Sequence, residues 1–484
     1  MKRNMCYKKR IDVLQKEAFN DTHGLKRALS ALDLTSLGIG GIIGAGIFVL
    51  TGHAAASYAG PGIVLSFIFA FVVCGFAGLC YAELASMIPI AGSAYLYSYA
   101  IMGEFIAWIV GWDLILEYFL GASTVAIGWS GYVISFLNDI GINVPAIISG
   151  SPLSYNVQTH EWILTGKLIN LPAFLIIIFV TLILIVGVKK SAMFNSVIVM
   201  IKVSILLVFI AMGVFHLNSS LWTPFIPPNT GEFGHFGFSG VLRGASVVFF
   251  AYIGFDTVST AASEAKNPQK NLPIGILVSL FVCTALYIAV AFILTGVVHY
   301  SHLNVSAPIA VALDAMKMGF LTPMVKIGAI AGLSSVILVL LYGQIRVFYA
   351  IAKDGLLPKV FAKVHTKYST PHVATIATGI MASIAASILP IDIAGELVSI
   401  GTLMAFLLVC TGVLILRFTQ PTMKRHFKTP GGIFVPIGGI LSCLYLMVGL
   451  PFDTWMRLVI WLIIGFVIYF TYGIHKANRT HKNV

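Results

Sequence analysis

The first of twelve apolar stretches in this chain is interrupted by glycine. It reads Leu34-Thr-Ser-Leu-Gly-Ile-Gly-Gly-Ile-Ile-Gly-Ala-Gly-Ile-Phe48, with glycine at 38, 40, 41, 44 and 46. Each glycine weakens a helix by about 1 kcal/mol relative to alanine. In hydrocarbon the freed N–H and C=O groups cannot turn to water. Non-helical backbone therefore persists there only where it is buried in protein or lines a cavity. A helix broken at membrane depth reads as a binding site.

The 484 residues are 58% hydrophobic and only 10% charged, against roughly 25% charged in soluble domains. This composition predicts an all-α polytopic membrane protein with no room for a separate soluble catalytic domain. The formal net charge of +12 sits in short loops and tails, so nucleic acid is not expected as a partner. Residues 1–33 are basic and lack an apolar core, so no secretory signal is expected. Five cysteines (Cys74, Cys80, Cys283, Cys410, Cys443) lie in apolar stretches and Cys6 lies in the tail. That pattern offers neither a disulfide framework nor metal-ligand spacing. The twelve histidines form no His-Glu-x-x-His pattern, and there is no Gly-x-x-x-x-Gly-Lys-[Ser/Thr] loop for an ATP motor. No metal and no cofactor are expected, and nothing indicates an enzyme.

The expected spans are 34–57, 62–88, 101–136, 170–187, 192–216, 239–262, 273–298, 322–351, 372–389, 393–417, 433–450 and 455–474. About 20 residues cross a bilayer, so the third and eighth are long enough to tilt or project. With the tail 1–33 taken as cytoplasmic, 23 of the 30 basic residues fall on one side. They include Lys189, Lys190, Lys266, Lys270, Lys353, Lys359, Lys363, Lys367, Arg417, Lys424, Arg425 and Lys428. By the positive-inside rule both termini are then cytoplasmic. The chain divides into the tail 1–33, a first five-helix unit 34–216, a second 239–417, two further helices in 433–474 and the tail 475–484.

The sixth stretch carries its own weak point. It reads Gly240-Val-Leu-Arg-Gly-Ala-Ser-Val-Val-Phe-Phe-Ala-Tyr-Ile-Gly-Phe-Asp256, with Gly254 and Asp256 near its middle. Stretches 1 and 6 hold corresponding places in the two five-helix units. Five is odd, so the second unit enters from the opposite side. That is an inverted repeat, with substrate bound where two broken helices meet.

Four segments resemble the amino acid–polyamine–organocation superfamily: Gly44-Ala-Gly-Ile-Phe48, Tyr81-Ala-Glu-Leu-Ala-Ser-Met-Ile-Pro-Ile-Ala-Gly-Ser-Ala-Tyr95, Phe249-Phe-Ala-Tyr-Ile-Gly-Phe-Asp256 and Glu264-Ala-Lys-Asn-Pro268. With the twelve stretches, they most resemble the bacterial branch of its cationic amino acid transporter family, over about residues 25–475. The resemblance implies a LeuT-like fold of twelve transmembrane helices with a 5+5 inverted repeat. It places the substrate at Ile42, Ile43, Gly44, Ala45 and Gly46 on one break and at Phe250, Ala251 and Ile253 on the other. Amides at 44–46 next to a half-helix end suit a carboxylate. The alternative reading of these glycines is close helix packing through small residues. Valine at 44 or 46 is expected to block substrate without unfolding the protein. Carbonyls at 250, 251 and 253 suit an ammonium, with the ring of Phe250 closing over the substrate; otherwise Phe250 is a core aromatic. Gly254 and Asp256 support the second break, Asp256 by accepting freed amides.

Lys202 sits midway along the fifth stretch. An ammonium at the bilayer centre costs about 2.5–3.5 kcal/mol on insertion scales, and a buried amine can hold and release a proton reversibly. In proton-coupled relatives a lysine here stands where sodium sits in sodium-coupled ones. Two readings stand: a proton-coupling group, or a structural lysine donating to carbonyls of the first stretch. Ser334 and Ser335 keep sodium coupling open, although serines often bond their own helix. Asp113 and Glu117 share one helix face. Glu117 is placed at the pocket, against a basic substrate side chain or paired with Lys202. Glu83 is an anchor or an inner gate, and Arg346 snorkels.

These residues lead to a secondary carrier in the cell membrane that imports an L-amino acid with a proton by alternating access. Small neutral amino acids such as alanine are the expected substrates, with membrane lipids as surroundings. The alternatives are an exchanger or uniporter for arginine and lysine, and a sensor that binds amino acid without transport.

Overall fold

The computed structural model describes residues 7–9, 11, 29–90, 92–156, 161–186, 191–262, 265–305, 307–319, 321–365 and 370–480. Among the residues invoked above, Lys189, Lys190, Lys367 and Glu264 lie outside the described residues, as does most of the tail 1–33. Helices of at least seven residues are numbered here.

Helix α1 (Ala31–Ile42) begins on a reciprocal cap. Asp33 N–H donates to Ser30 Oγ at 3.3 Å, and Ser30 N–H donates to Asp33 Oδ2 at 2.8 Å. Two amides that a helix start leaves open are thereby satisfied. The helix stops at Ile43, which is extended (φ −73°, ψ 94°). The chain resumes as a π-helical turn (Gly46–Leu50), an α turn (Thr51–Ala54) and a second π turn (Ala55–Ala59). Then follow α2 (Ile63–Met87), the short α3 (Ser93–Ile101) and α4 (Glu104–Asp139). The third apolar stretch thus starts later than expected, because Gly103 turns the chain at φ +103°.

The remaining helices are α5 (Leu171–Val186), α6 (Ser191–Gly213), α7 (Gly237–Val248), α8 (Pro268–Val297), α9 (Pro308–Ala315), α10 (Thr322–Lys353), α11 (His372–Ile388), α12 (Ile391–Thr419), α13 (Phe434–Val448), α14 (Phe452–Ile468) and α15 (Ile474–Thr480). The chain is not wholly α. Strands β1 (Leu153–Asn156) and β2 (Glu161–Leu164) pair antiparallel with Tyr155 opposite Trp162. They lie in the connection between α4 and α5, outside any apolar stretch.

Among the described residues, eight helical runs are long and apolar enough to cross a membrane, and three shorter apolar helices join them. The first run, Ala31–Met87, contains both the first and the second expected stretch. Large apolar side chains such as Phe179, Met200, Phe281 and Phe434 are more than half exposed. Soluble monomers rarely present such surfaces, whereas a hydrocarbon solvent accommodates them.

Helix α4, about 54 Å long at 1.5 Å per residue, packs against α10 and α12, and α1 lies against α6, α8 and α10. At the start of α4, Glu104 N–H donates to Tyr7 O (2.9 Å) and Glu104 Oε1 accepts from Tyr469 Oη (3.0 Å). Both ends of the described chain therefore share one face, the terminal face. The β-hairpin follows the other end of α4 and marks the hairpin face.

Candidate functional site

The two interrupted helices meet at their breaks. Helix α7 ends at Val248, and a 3-10 turn (Phe249–Tyr252) leads to extended Ile253 (φ −62°, ψ 135°). Gly254 then turns at φ +118°, a conformation that L side chains rarely adopt. A Cβ on Gly254 would also sit 2.7 Å from the carbonyl carbon of Gly41. A Cβ on Gly46 would overlap the Cα and Cβ of Ala251 and lie 2.9 Å from its nitrogen. The breaks are thus packed backbone to backbone, and Gly46 serves that packing directly. A helical turn (Thr257–Thr260) follows, with Asp256 at its N-cap.

Around this crossing the backbone is incompletely paired. Ile43 N–H bonds to Ile39 O at 3.0 Å and Phe48 N–H to Gly44 O at 3.3 Å. The amides of Gly44, Ala45, Gly46 and Ile47 between them meet no backbone acceptor among the described residues. On the acceptor side, Tyr287 of α8 directs its hydroxyl at both Ile42 O (2.7 Å) and Ala251 O (2.9 Å). A phenol has one proton to donate, so two carbonyls, one from each break, share it. Phe250 O is occupied by Ile253 N–H at 3.2 Å, and the Phe250 ring is buried. Open amides beside under-served carbonyls form a pair of sites for an anion and a cation on one small molecule.

Lys202, on α6, is fully buried. Its Nζ donates to Gly40 O (2.7 Å), Ile43 O (2.9 Å) and Ser335 Oγ (3.3 Å). Three acceptors match the three donors of an ammonium. Two of them are the carbonyls on either side of the end of α1, so this amine holds the first break in place. Ser335 also donates to Gly332 O (2.7 Å), while Ser334 donates to Ile330 O (2.8 Å) and accepts from Trp129 Nε1 (2.9 Å).

The acids fall elsewhere. Of the two readings of Glu117, the pair with Lys202 does not form, because the acceptors of Lys202 come from α1 and α10. Glu117 and Asp113 are buried on α4, with no hydrogen-bond donor to their carboxylates among the described residues. Tyr118 donates to Asp256 Oδ2, so α4 reaches the second break through this tyrosine. Glu83 anchors the terminal face: it accepts from Arg417 (2.6 Å) and Thr429 N–H (2.8 Å), with Arg425 Nε at 2.9 Å. The Arg346 guanidinium lies 3.9 Å from the centre of the Tyr342 ring.

The walls near the first break are apolar. A Cβ on Gly44 would meet Val336 at 3.2 Å, and one on Gly128 would meet Val49, Ala45 and Ile391 at 3.2–4.0 Å. One on Gly395 would meet Leu50 and Thr124 at 3.7 and 3.9 Å. No charged side chain occurs among these contacts. Tyr287, Tyr118 and Trp129 are the site residues that sequence reasoning missed. Each is one aromatic in an apolar stretch, with no local signal to set it apart.

A family model described as amino acid permease matches residues 29–471. The chain belongs to the amino acid permease family. It is a multi-pass membrane transporter of the amino acid–polyamine–organocation superfamily and not an enzyme. The permease is 45% identical over 474 residues to the branched-chain amino acid permease BcaP of Bacillus subtilis (strain 168), covering 98% of each chain. It is also 45% identical over 469 residues to the methylthioribose transporter of the same organism, covering 96% of this chain and 97% of that one. The vacuolar cationic amino acid transporter 4 of Arabidopsis thaliana is 37% identical over 418 residues, covering 86% and 68%.

Tyr287→Phe in the permease is expected to weaken substrate binding about tenfold, or about 1.4 kcal/mol. Both carbonyls then lose their hydroxyl, and the net worth of such a bond is of that order. Ligand-dependent thermal shift measures it. An unchanged affinity with a lowered melting temperature marks Tyr287 as a brace only.

Proposed function

We propose that the permease is a proton-coupled symporter that imports neutral aliphatic L-amino acids by alternating access. In this reading twelve spans cross the cell membrane, as inverted five-helix units 34–216 and 239–417 plus two helices in 433–474. Both tails, 1–33 and 475–484, are cytoplasmic, and the hairpin face is outside. The substrate carboxylate lies on the amides of Gly44, Ala45 and Gly46, and its ammonium lies at the Tyr287-shared carbonyls. The observation that carries the coupling is Lys202 Nζ on Gly40 O and Ile43 O, at 2.7 and 2.9 Å. Loss of its proton weakens both bonds, because charge-assisted bonds are roughly twice as strong as neutral ones. The end of α1 is then free to move.

The apolar wall of Val336, Ile391 and Leu50 supports a neutral aliphatic side chain, in keeping with the relative named as a branched-chain permease. The cationic relatives keep arginine and lysine as the second reading, with Glu117, buried on α4 beside Asp256, as the acid for the cationic side chain.

The test is uptake of labelled leucine and alanine into proteoliposomes, with an inward pH gradient and a panel of unlabelled competitors. Leucine, isoleucine and alanine are expected to compete, with accumulation lost when a protonophore collapses the gradient. Competition by arginine and lysine alone selects the cationic reading, and competition by methylthioribose alone removes the amino acid assignment. Counterflow of equal rate without a gradient selects an exchanger, and binding without uptake a sensor.

Phe250→Ala is expected to lower uptake strongly while binding stays measurable, because the ring closes the site. A core aromatic instead costs about 3–5 kcal/mol of stability on truncation. A variant that is badly destabilised yet transports normally per folded molecule identifies packing rather than a lid.

A further inference from the structure

On the hairpin face a cavity of about 90 Å³ is bordered by His53, Tyr155, Asp392, Glu396, Asp453 and Arg457, among others. One water needs about 10–15 Å³, so the space takes a group of several heavy atoms. His53 lies seven residues beyond Gly46 on the outer limb of the first broken helix. At 1.5 Å per residue that is about 10 Å from the break. Helix α12 borders both places: Gly395 faces Leu50 and Thr124, while Asp392 and Glu396 border the cavity.

We infer that this cavity is a second binding site, which takes the zwitterionic backbone of an amino acid on its way to the breaks. The inference rests on reading the protein as an amino acid carrier. Two contacts join cavity-lining groups of opposite charge type, and both are loose; the first is an ion pair only with the imidazole protonated. His53 Nε2 stands 3.6 Å from Asp392 Oδ1, and Arg457 Nη1 stands 3.9 Å from Glu396 Oε2. Five ion pairs elsewhere in the protein close to between 2.5 and 3.3 Å.

The lining carboxylates are not equivalent. Glu396 accepts from Arg243 at 3.3 Å and from Thr454 Oγ1 at 2.7 Å, and Asp453 accepts from Tyr155 Oη at 2.6 Å. Asp392 is left with its side chain 52% exposed, placed to receive an ammonium. The Arg457 guanidinium is held 4.9 Å from the centre of the Tyr155 ring, an arrangement that steadies it and leaves a planar donor edge for a carboxylate. A simple anion here meets three carboxylates, and a simple cation meets Arg457 with Arg243 behind Glu396. A zwitterion satisfies both ends.

The test is the molar ratio of labelled leucine or alanine bound to the purified full chain in detergent, with melting temperature as the fold check. Wild type is expected to bind two molecules per chain and Gly44→Val, which blocks the breaks, one. Adding Arg457→Gln and Asp392→Asn to Gly44→Val is expected to abolish that one. Asp392→Asn alone, at a half-exposed side chain, is the second variant should the combination melt early; it is expected to weaken the remaining binding severalfold. A folded Gly44→Val that binds nothing while wild type binds one molecule overturns the second site and leaves the proposed function standing. So does binding in Gly44→Val that the added substitutions do not change. A wild type that binds neither amino acid defeats the functional reading and this site with it.

Discussion

Replacing Lys202 with methionine is expected to reduce proton-driven uptake to the level of empty liposomes. The ammonium holds Gly40 O, Ile43 O and Ser335 Oγ, and methionine fills much of its volume without a donor. Two buried carbonyls then lose their partner, at about 1–3 kcal/mol for each group left unsatisfied. Removal of a charge from the apolar interior offsets part of that loss, so the variant is expected to fold. Lys202→Arg is the informative companion. It keeps the charge and the donors, yet a guanidinium does not deprotonate in the working range. Binding or exchange is expected to survive there while accumulation does not. Uptake is compared with and without an inward pH gradient, and wild-type gradient dependence in either variant removes Lys202 from the coupling step.

The second large effect separates Gly44 from Gly46. Residue pattern alone predicts the same outcome for valine at either position. The structure divides them. The three atoms nearest a Cβ on Gly44 all belong to the side chain of Val336, at 3.2–3.6 Å, and a small side-chain shift relieves that contact. A Cβ on Gly46 runs into the backbone of Ala251 in the other break. Gly46→Val is therefore expected to force the breaks apart and melt early, since overpacking costs about 1–3 kcal/mol or more. Gly44→Val is expected to melt close to wild type and lose the share of ligand stabilisation that the breaks supply, about 2.7 kcal/mol for one site at a hundredfold excess over Kd. Stabilisation undiminished from wild type in folded Gly44→Val sinks the carboxylate site. Equal melting temperatures for the two variants sink the packing role of Gly46.

The acids of α4 follow the same division between local and long-range information. Asp113 and Glu117 share a face of α4 because four residues make about one turn, and that much is legible in the chain. Of the two partners open to Glu117, a basic substrate side chain or Lys202, the second is taken elsewhere: Lys202 donates to residues of α1 162 and 159 positions away and to Ser335 of α10. No local pattern states which way α4 and α6 turn relative to each other. The paired strands 153–156 and 161–164 are not legible in the sequence for a different reason. Eight strand residues in the connection between α4 and α5 carry no hydropathy signal, and their register is set by cross-strand contacts.

The amino-acid sequence by itself determined the helical runs, their apolar surfaces and the place of both breaks. Hydropathy and glycine act within a few residues, because a backbone that cannot bond to water must bond to its own neighbours or break where protein covers it. Only the tertiary structure decided that the breaks touch through Gly41 and Gly254, and that Tyr287 divides one proton between Ile42 O and Ala251 O. It also decided that Lys202 closes on the end of α1. Those contacts join residues 36 to 245 positions apart, and packing of the whole bundle, not local propensity, brings such residues within hydrogen-bond reach.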